Sequence, residues 1–256
     1  MAISVLIKCT SAPKDFTERF VKRENDCWNE ALPFYNHRSF CKHSAGSNRR
    51  AFSYRFDVIQ NGKPLAIAEQ TGNKPCEGLE IEELKMYISG LELLKGDLPV
   101  FSESNSYHLL DAADTGSLGW QLSIPAGIAF DRIRFHVGVD SLTNVSGAFG
   151  GDLDPTRGMY WTWQSGYINF KLEGRAESCP ARHNRFQFHI GGYMAPYASL
   201  QTVSLDITNR EKINIDLSVD EIFNQINIGE SYQIMSPGEQ SLAFASLIPS
   251  IFSLSK

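Results

Sequence analysis

From Ala51 onward the chain is written largely in a period of two. In "FSYRFDVIQNGKPL" Phe52, Tyr54, Phe56 and Val58 alternate with polar neighbours and run into Asn61-Gly62, the dipeptide that best favours a tight hairpin turn. Successive side chains of a strand point to opposite faces, so such a segment belongs in a sheet with one face buried. The pattern returns in "FDRIRFHVGVD", where Ile133, Phe135 and Val137 oppose Arg132, Arg134 and His136, and in "LQTVSLDI" and "KINIDLSV". "SYHLLDA", "LGWQLSIPAG", "MYWTWQSGYINFKLEG" and "RFQFHIGGYM" read as further strands. "LEIEELKMYISGLELLKG" fits an amphipathic helix or a strand bulged at Gly90, and the strand is preferred. Helices are expected in "VDEIFNQI", capped by Ser218 or Asp220, and in "SLAFASLIPSIFSLS", capped by Ser241. Residues 141–158 are loop by composition. The expected fold is all-β: a mainly antiparallel β-sandwich with a few short helices.

This domain is expected to span residues 51–256. Residues 1–50 differ in composition, with nine Lys and Arg against five Asp and Glu where the rest of the chain has 15 against 24. They are read as an atypical leader or mis-started segment. The apolar stretch Ala2–Ile7 is short and lacks a basic region before it, so no signal peptide is recognised. The net charge of -5 argues against a nucleic-acid partner. No apolar run approaches the roughly 18 residues of a membrane helix. The five cysteines (Cys9, Cys27, Cys41, Cys76 and Cys179) show no C-x-x-C spacing.

Candidate chemistry concentrates in the strands. His108, His136 and His189 each sit in an expected strand, and imidazoles from three strands of one sheet can converge on copper or zinc. Alternation puts His189 on the face of Gln187, opposite Phe186, Phe188 and Ile190. Met159 and Met194 are soft donors, although Met more often fills gaps in a core. Trp161 and Trp163 share a face with Met159 by the same alternation. Asp140, Asn144, Asp152 and Asp154 form an oxygen-rich set suited to Ca²⁺, without the spacing of an EF-hand. No G-x-S-x-G, Walker A or H-E-x-x-H motif is present, so a binding protein without catalysis of its own is expected.

One long motif carries a family resemblance. "GVDS" at 138–141, "GDLDPTRGMYWTWQSGYINFKLEG" at 151–174 and "FHIGGY" at 188–193 resemble the MbnP-like copper-binding proteins. "LKMYISGLEL", "YHLLD" and "IMSPGEQSLAFAS" extend the likeness over about residues 51–253. The resemblance implies a β-rich protein of the periplasm or cell envelope that takes part in copper acquisition or handling. It implies copper bound through histidine and a tryptophan oxidised to kynurenine by a dihaem peroxidase-like partner enzyme. Carried onto this chain, it makes His189 the first candidate ligand, with His136 and His108 behind it and Met159 as a soft donor. Trp161 or Trp163 is then the modified or site-lining indole. The other reading is a structural or interaction β-sandwich whose loop at Asp140, Asn144, Asp152 and Asp154 binds calcium.

Overall fold

The computed structural model describes residues 48–68, 78–207 and 210–255. Segment 1–47 and Cys9, Cys27, Cys41 and Cys76 lie outside the described residues; Cys179 is a buried free thiol. The strands are β1 (Arg49–Gln60), β2 (Lys63–Pro64), β3 (Leu79–Lys95), β4 (Leu98–Ser102), β5 (Tyr107–Asp111), β6 (Gly119–Pro125) and β7 (Arg132–Val137). They continue with β8 (Tyr160–Trp161), β9 (Gly166–Ala176), β10 (Arg185–Gly191), β11 (Gln201–Asp206), β12 (Lys212–Ser218), β13 (Gln233–Ile234) and β14 (Phe252–Leu254). Three short helices punctuate them: α1 (Ser141–Ser146), α2 (Asp220–Phe223) and α3 (Glu239–Ala245).

Two sheets form the expected β-sandwich. In the first, β1 lies between β12, which it pairs in parallel, and β6; β14 closes the edge beyond β12. The second sheet is organised by β3. Along one edge β9 takes Leu79–Met86 and β7 takes Ile88–Leu94 in succession; along the other, β5 and then β4 pair with it. Most pairs are antiparallel, β1–β12 and β10–β13 being parallel. The change of partner at the middle of β3 coincides with a bulge between Ser89 and Glu92, where Gly90 has φ +56°. Only a residue without Cβ adopts that backbone cheaply, and a Cβ there would come within 2.7 Å of the His136 ring. The strand reading of this segment, bulge included, is what the chain adopts.

The alternation of β1 fills the space between the sheets. Phe52, Tyr54 and Phe56 are buried, and Phe56 meets Phe135 of β7 edge-on at 5.7 Å. Helix α3 closes the core by placing Phe244 against Phe188 at 5.1 Å and Phe170 at 5.7 Å. The Asn61-Gly62 turn behaves as its sequence demands, with φ of 52° and 68°. The expected helix caps differ. Val219 and Gly238 stand at the cap positions, and the Asp220 carboxylate instead accepts a hydrogen bond from Asn61 N at 2.6 Å. After α3 the chain tightens into a 3-10 turn at Ile248–Ile251 and ends as β14, because β12 offers Phe252–Leu254 an open edge. No helix among the described residues is long and apolar enough to cross a membrane.

Candidate functional site

The polar faces of β10, β9, β3 and β5 carry a charged ladder on the side of the sheet away from the core. Lys171 of β9 bonds Glu83 at 2.8 Å, and Lys85 joins Glu83 at 3.1 Å to Asp111 at 3.4 Å. At one end of the ladder His189 Nε2 lies 2.7 Å from Glu173 Oε1, with both side chains buried. Burial by itself would raise the Glu173 pKa. The hydrogen bond from His189, the charge of Lys171 and a bond from Gln187 overcome that and bring it down to about 2. The carboxylate is therefore ionised at any ordinary pH and acts as acceptor, so Nε2 of His189 is the donor of this bond.

Beyond the ladder the same face is covered by loop 140–165, which builds a second apolar cluster. Tyr87, Leu109, Val139, Leu153, Met159, Trp161, Tyr167 and Ile168 form it. Met159 and Trp161 thereby pin the loop to the sheet. Polar bonds finish the attachment. Tyr87 Oη donates to Asp152 O at 3.1 Å and Tyr167 Oη to Leu153 O at 3.0 Å. Burial raises the Tyr87 pKa, so its hydroxyl stays a donor.

Trp161 and Trp163 part company. The short strand β8 ends at Trp161, and a turn over Thr162–Ser165, with Ser165 at φ 53°, breaks the alternation. Trp161 is 6% exposed while Trp163 is 64% exposed, although their rings remain 5.8 Å apart. The buried ring lies on Gly191, where a Cβ would come within 2.6 Å of Trp161 Cζ3. Gly191 and His189 share a face of β10, so the indole sits about 7 Å along the strand from His189. In the turn itself, Gln164 Oε1 is buried and accepts no hydrogen bond.

The three strand histidines are not gathered. His136 pairs with Ser89 of β3, whereas His189 reaches β3 through Lys171 opposite Lys85, four residues away along that strand. That separates them by about 13 Å along the sheet, against metal–nitrogen bonds of about 2 Å. His136 Nδ1 bonds Thr202 Oγ1 at 3.0 Å, and burial lowers its pKa. His108 is opposite Ile88, on the core-facing side; its ring lies 4.5 Å from Trp120 and its Nε2 is 2.9 Å from Glu103. Among the described residues no three His, Cys, Asp or Glu side chains are grouped as a metal would need.

The acidic loop residues hold the loop together, Asp140 and Asp154 as caps and Asp152 as a tie to β5. Asp140 accepts from Thr143 N at 2.9 Å at the start of α1 and from the Tyr107 hydroxyl. Asn144 donates to Val139 O at 2.9 Å and accepts from Tyr167 N at 2.8 Å. Asp152 accepts from Leu109 N, and Asp154 accepts from Thr156 N. These bonds account for the acidic residues as supports of the loop's own backbone. Asp140→Ala is expected to cost about 1–2 kcal/mol in urea unfolding, the usual loss for a cap. Added Ca²⁺ should leave the wild-type melting midpoint unchanged, and a calcium-dependent rise would overturn the capping account.

Glu173, Gly191 and Gln164 were not singled out from the sequence. A hint existed for the first: Asn169, Lys171, Glu173 and Arg175 put a polar residue at every second position of the strand. For copper, His189 is suited to be one donor, because a carboxylate behind the imidazole is what orients metal-bound histidines, but no group of three His, Cys, Asp or Glu surrounds it among the described residues. The residues present do not fit a centre built from His189, His136 and His108 together.

Comparison with known proteins agrees with this architecture. No curated protein matches the chain significantly. Among solved structures, MbnP from Methylosinus trichosporium superposes with a TM-score of 0.57 at 17% identity, covering 81% of this chain and 98% of that one. That likeness is one of fold. The MbnP family model matches residues 49–236, which takes in every strand but β14, the Trp161 turn and the His189–Glu173 pair, and the chain therefore belongs to the MbnP family.

Proposed function

We propose that the protein is a copper-binding protein of the cell envelope, acting in copper acquisition or handling, with His189 as its nitrogen ligand. The observation that carries this is the buried His189–Glu173 pair beside the Trp161 ring seated on Gly191. With Glu173 accepting from Nε2, Nδ1 is the ring nitrogen left to ligate a metal. Membership of a family associated with methanobactin supports the choice of metal. Trp161 is the indole proposed for oxidation to kynurenine by a dihaem peroxidase-like partner. The change opens the ring and leaves an amine and a carbonyl, donors that the indole N–H does not offer. The unpartnered Gln164 Oε1 in the adjoining turn is available to a group that donates to it. The protein's part is to bind and orient, not to catalyse.

The test is a Cu(I) competition titration of the full chain against a chromophoric chelator. Tight one-to-one binding is expected, and it should be lost in His189→Ala but kept in His108→Ala and His136→Ala. Equal binding by wild type and His189→Ala would refute the assignment. Intact mass before and after treatment with the partner enzyme reports on Trp161, since kynurenine formation removes a carbon and adds an oxygen.

A further inference from the structure

Three loops at one end of the second sheet hold a surface that copper binding does not explain. Seven large hydrophobic side chains are exposed among the described residues, and six of them lie here: Leu142, Val145, Phe149, Trp163, Met194 and Tyr197. The loops are tied to one another. Ser141 Oγ donates to Tyr193 O at 2.8 Å, Tyr167 N to Asn144 Oδ1 at 2.8 Å, and Phe149 N to Tyr167 Oη at 3.0 Å. Residues 141–151, 158–170 and 190–205 contain no Asp, Glu, Lys or Arg.

We propose that this end of the protein docks on a bilayer of zwitterionic, choline-headed lipid, inserting these six side chains into the interface. Shape favours lipid over a protein partner. Leu142 is 77% and Val145 70% exposed, so they project as tips, whereas protein hot spots sit in packed pockets ringed by polar groups. Chemistry agrees: Trp and Tyr concentrate at membrane interfaces, and the six side chains stand on uncharged stretches, with Asp140, Asp152, Asp154 and Arg157 only at their margins. The same end also opens a cavity of about 490 Å³ lined by Asn105, Tyr107, Thr143, Phe149 and Asp152. Aromatic rings beside a carboxylate suit a quaternary ammonium group. A surface whose flanking ions are three carboxylates and one guanidinium calls for a zwitterionic headgroup rather than an anionic one, which those carboxylates repel.

The test uses the full chain and vesicles of phosphatidylcholine or phosphatidylglycerol, with flotation as the readout. Binding to phosphatidylcholine is expected, unchanged by added salt. The double variant Leu142→Ser/Val145→Ser should weaken it about tenfold, the scale expected for losing two inserted apolar side chains. Leu98→Ser, which removes the seventh exposed side chain at the β3–β4 turn, should leave it unaltered, with thermal melts confirming that both variants fold. No association with phosphatidylcholine would overturn the proposal. So would binding confined to phosphatidylglycerol and abolished by salt, an equal loss in Leu98→Ser, or a double variant that changes only the oligomeric mass.

Discussion

Glu173→Gln is expected to lose on the order of 3 kcal/mol of stability at neutral pH, and to lose that difference again in acid. The carboxylate is buried and satisfied on both oxygens: His189 lies 2.7 Å from Oε1, while Arg185 at 3.1 Å and Gln187 at 3.2 Å reach Oε2. Its pKa falls from 4.5 to about 2 on folding. A group whose pKa is depressed on folding contributes stability that is present above the unfolded value and lost as pH falls through the folded one. The wild-type advantage should therefore shrink between pH 4.5 and about pH 2. The amide preserves the shape but turns an NH₂ towards donors it cannot satisfy. Urea unfolding of both proteins across that pH range measures the effect, and curves that stay parallel throughout would contradict it. Copper affinity should fall about 10–100-fold, the usual consequence of losing the carboxylate behind a ligating imidazole. Because the stability measurement needs no metal, it can succeed even if the copper titration fails.

Gly191→Ala should be nearly as costly, by a different route. The added methyl would lie 2.6 Å from Trp161 Cζ3 and 2.8 Å from the Tyr167 carbonyl oxygen. The carbonyl is β9 backbone, paired with β10 through a register shift at Ile190–Gly191, and yields less easily than a side chain, so the indole is expected to lift. Overpacking of this kind costs about 1–3 kcal/mol. Met159 and Tyr167 would lose their neighbour, and loop 140–165 would loosen with them. The expected readings are a lower urea midpoint, a red-shifted Trp161 emission, and copper binding weakened although His189 and Glu173 are intact. An unchanged emission spectrum would mean that the ring does not depend on Gly191 for its seat.

These two positions also mark where the sequence stops being sufficient. The strand faces of β1, β7, β11 and β12 are legible in the chain, because a period of two follows from the pleat and needs no knowledge of neighbours. The bulge at Gly90 and the Asn61-Gly62 turn are equally local, since both follow from which residues tolerate positive φ. The helix caps were not legible: Asp220 accepts from Asn61, a residue remote in sequence, and nothing near Asp220 announces it. Trp163 left the face of Trp161 because a turn at Thr162–Ser165 ended the strand after Trp161.

The sequence by itself determined an all-β sandwich, its core faces and the family motif that marks the Trp161 and His189 region. The tertiary structure decided which of the candidate donors meet. His189 finds Glu173 across β10 and β9, and His136 and His108 end at other levels and on opposite faces of the second sheet. The physical reason is that alternation fixes the direction of a side chain, while its partners depend on strand order and register. Those are settled by how β3 divides its edges among β4, β5, β7 and β9, and by which aromatic rings pack across the sandwich.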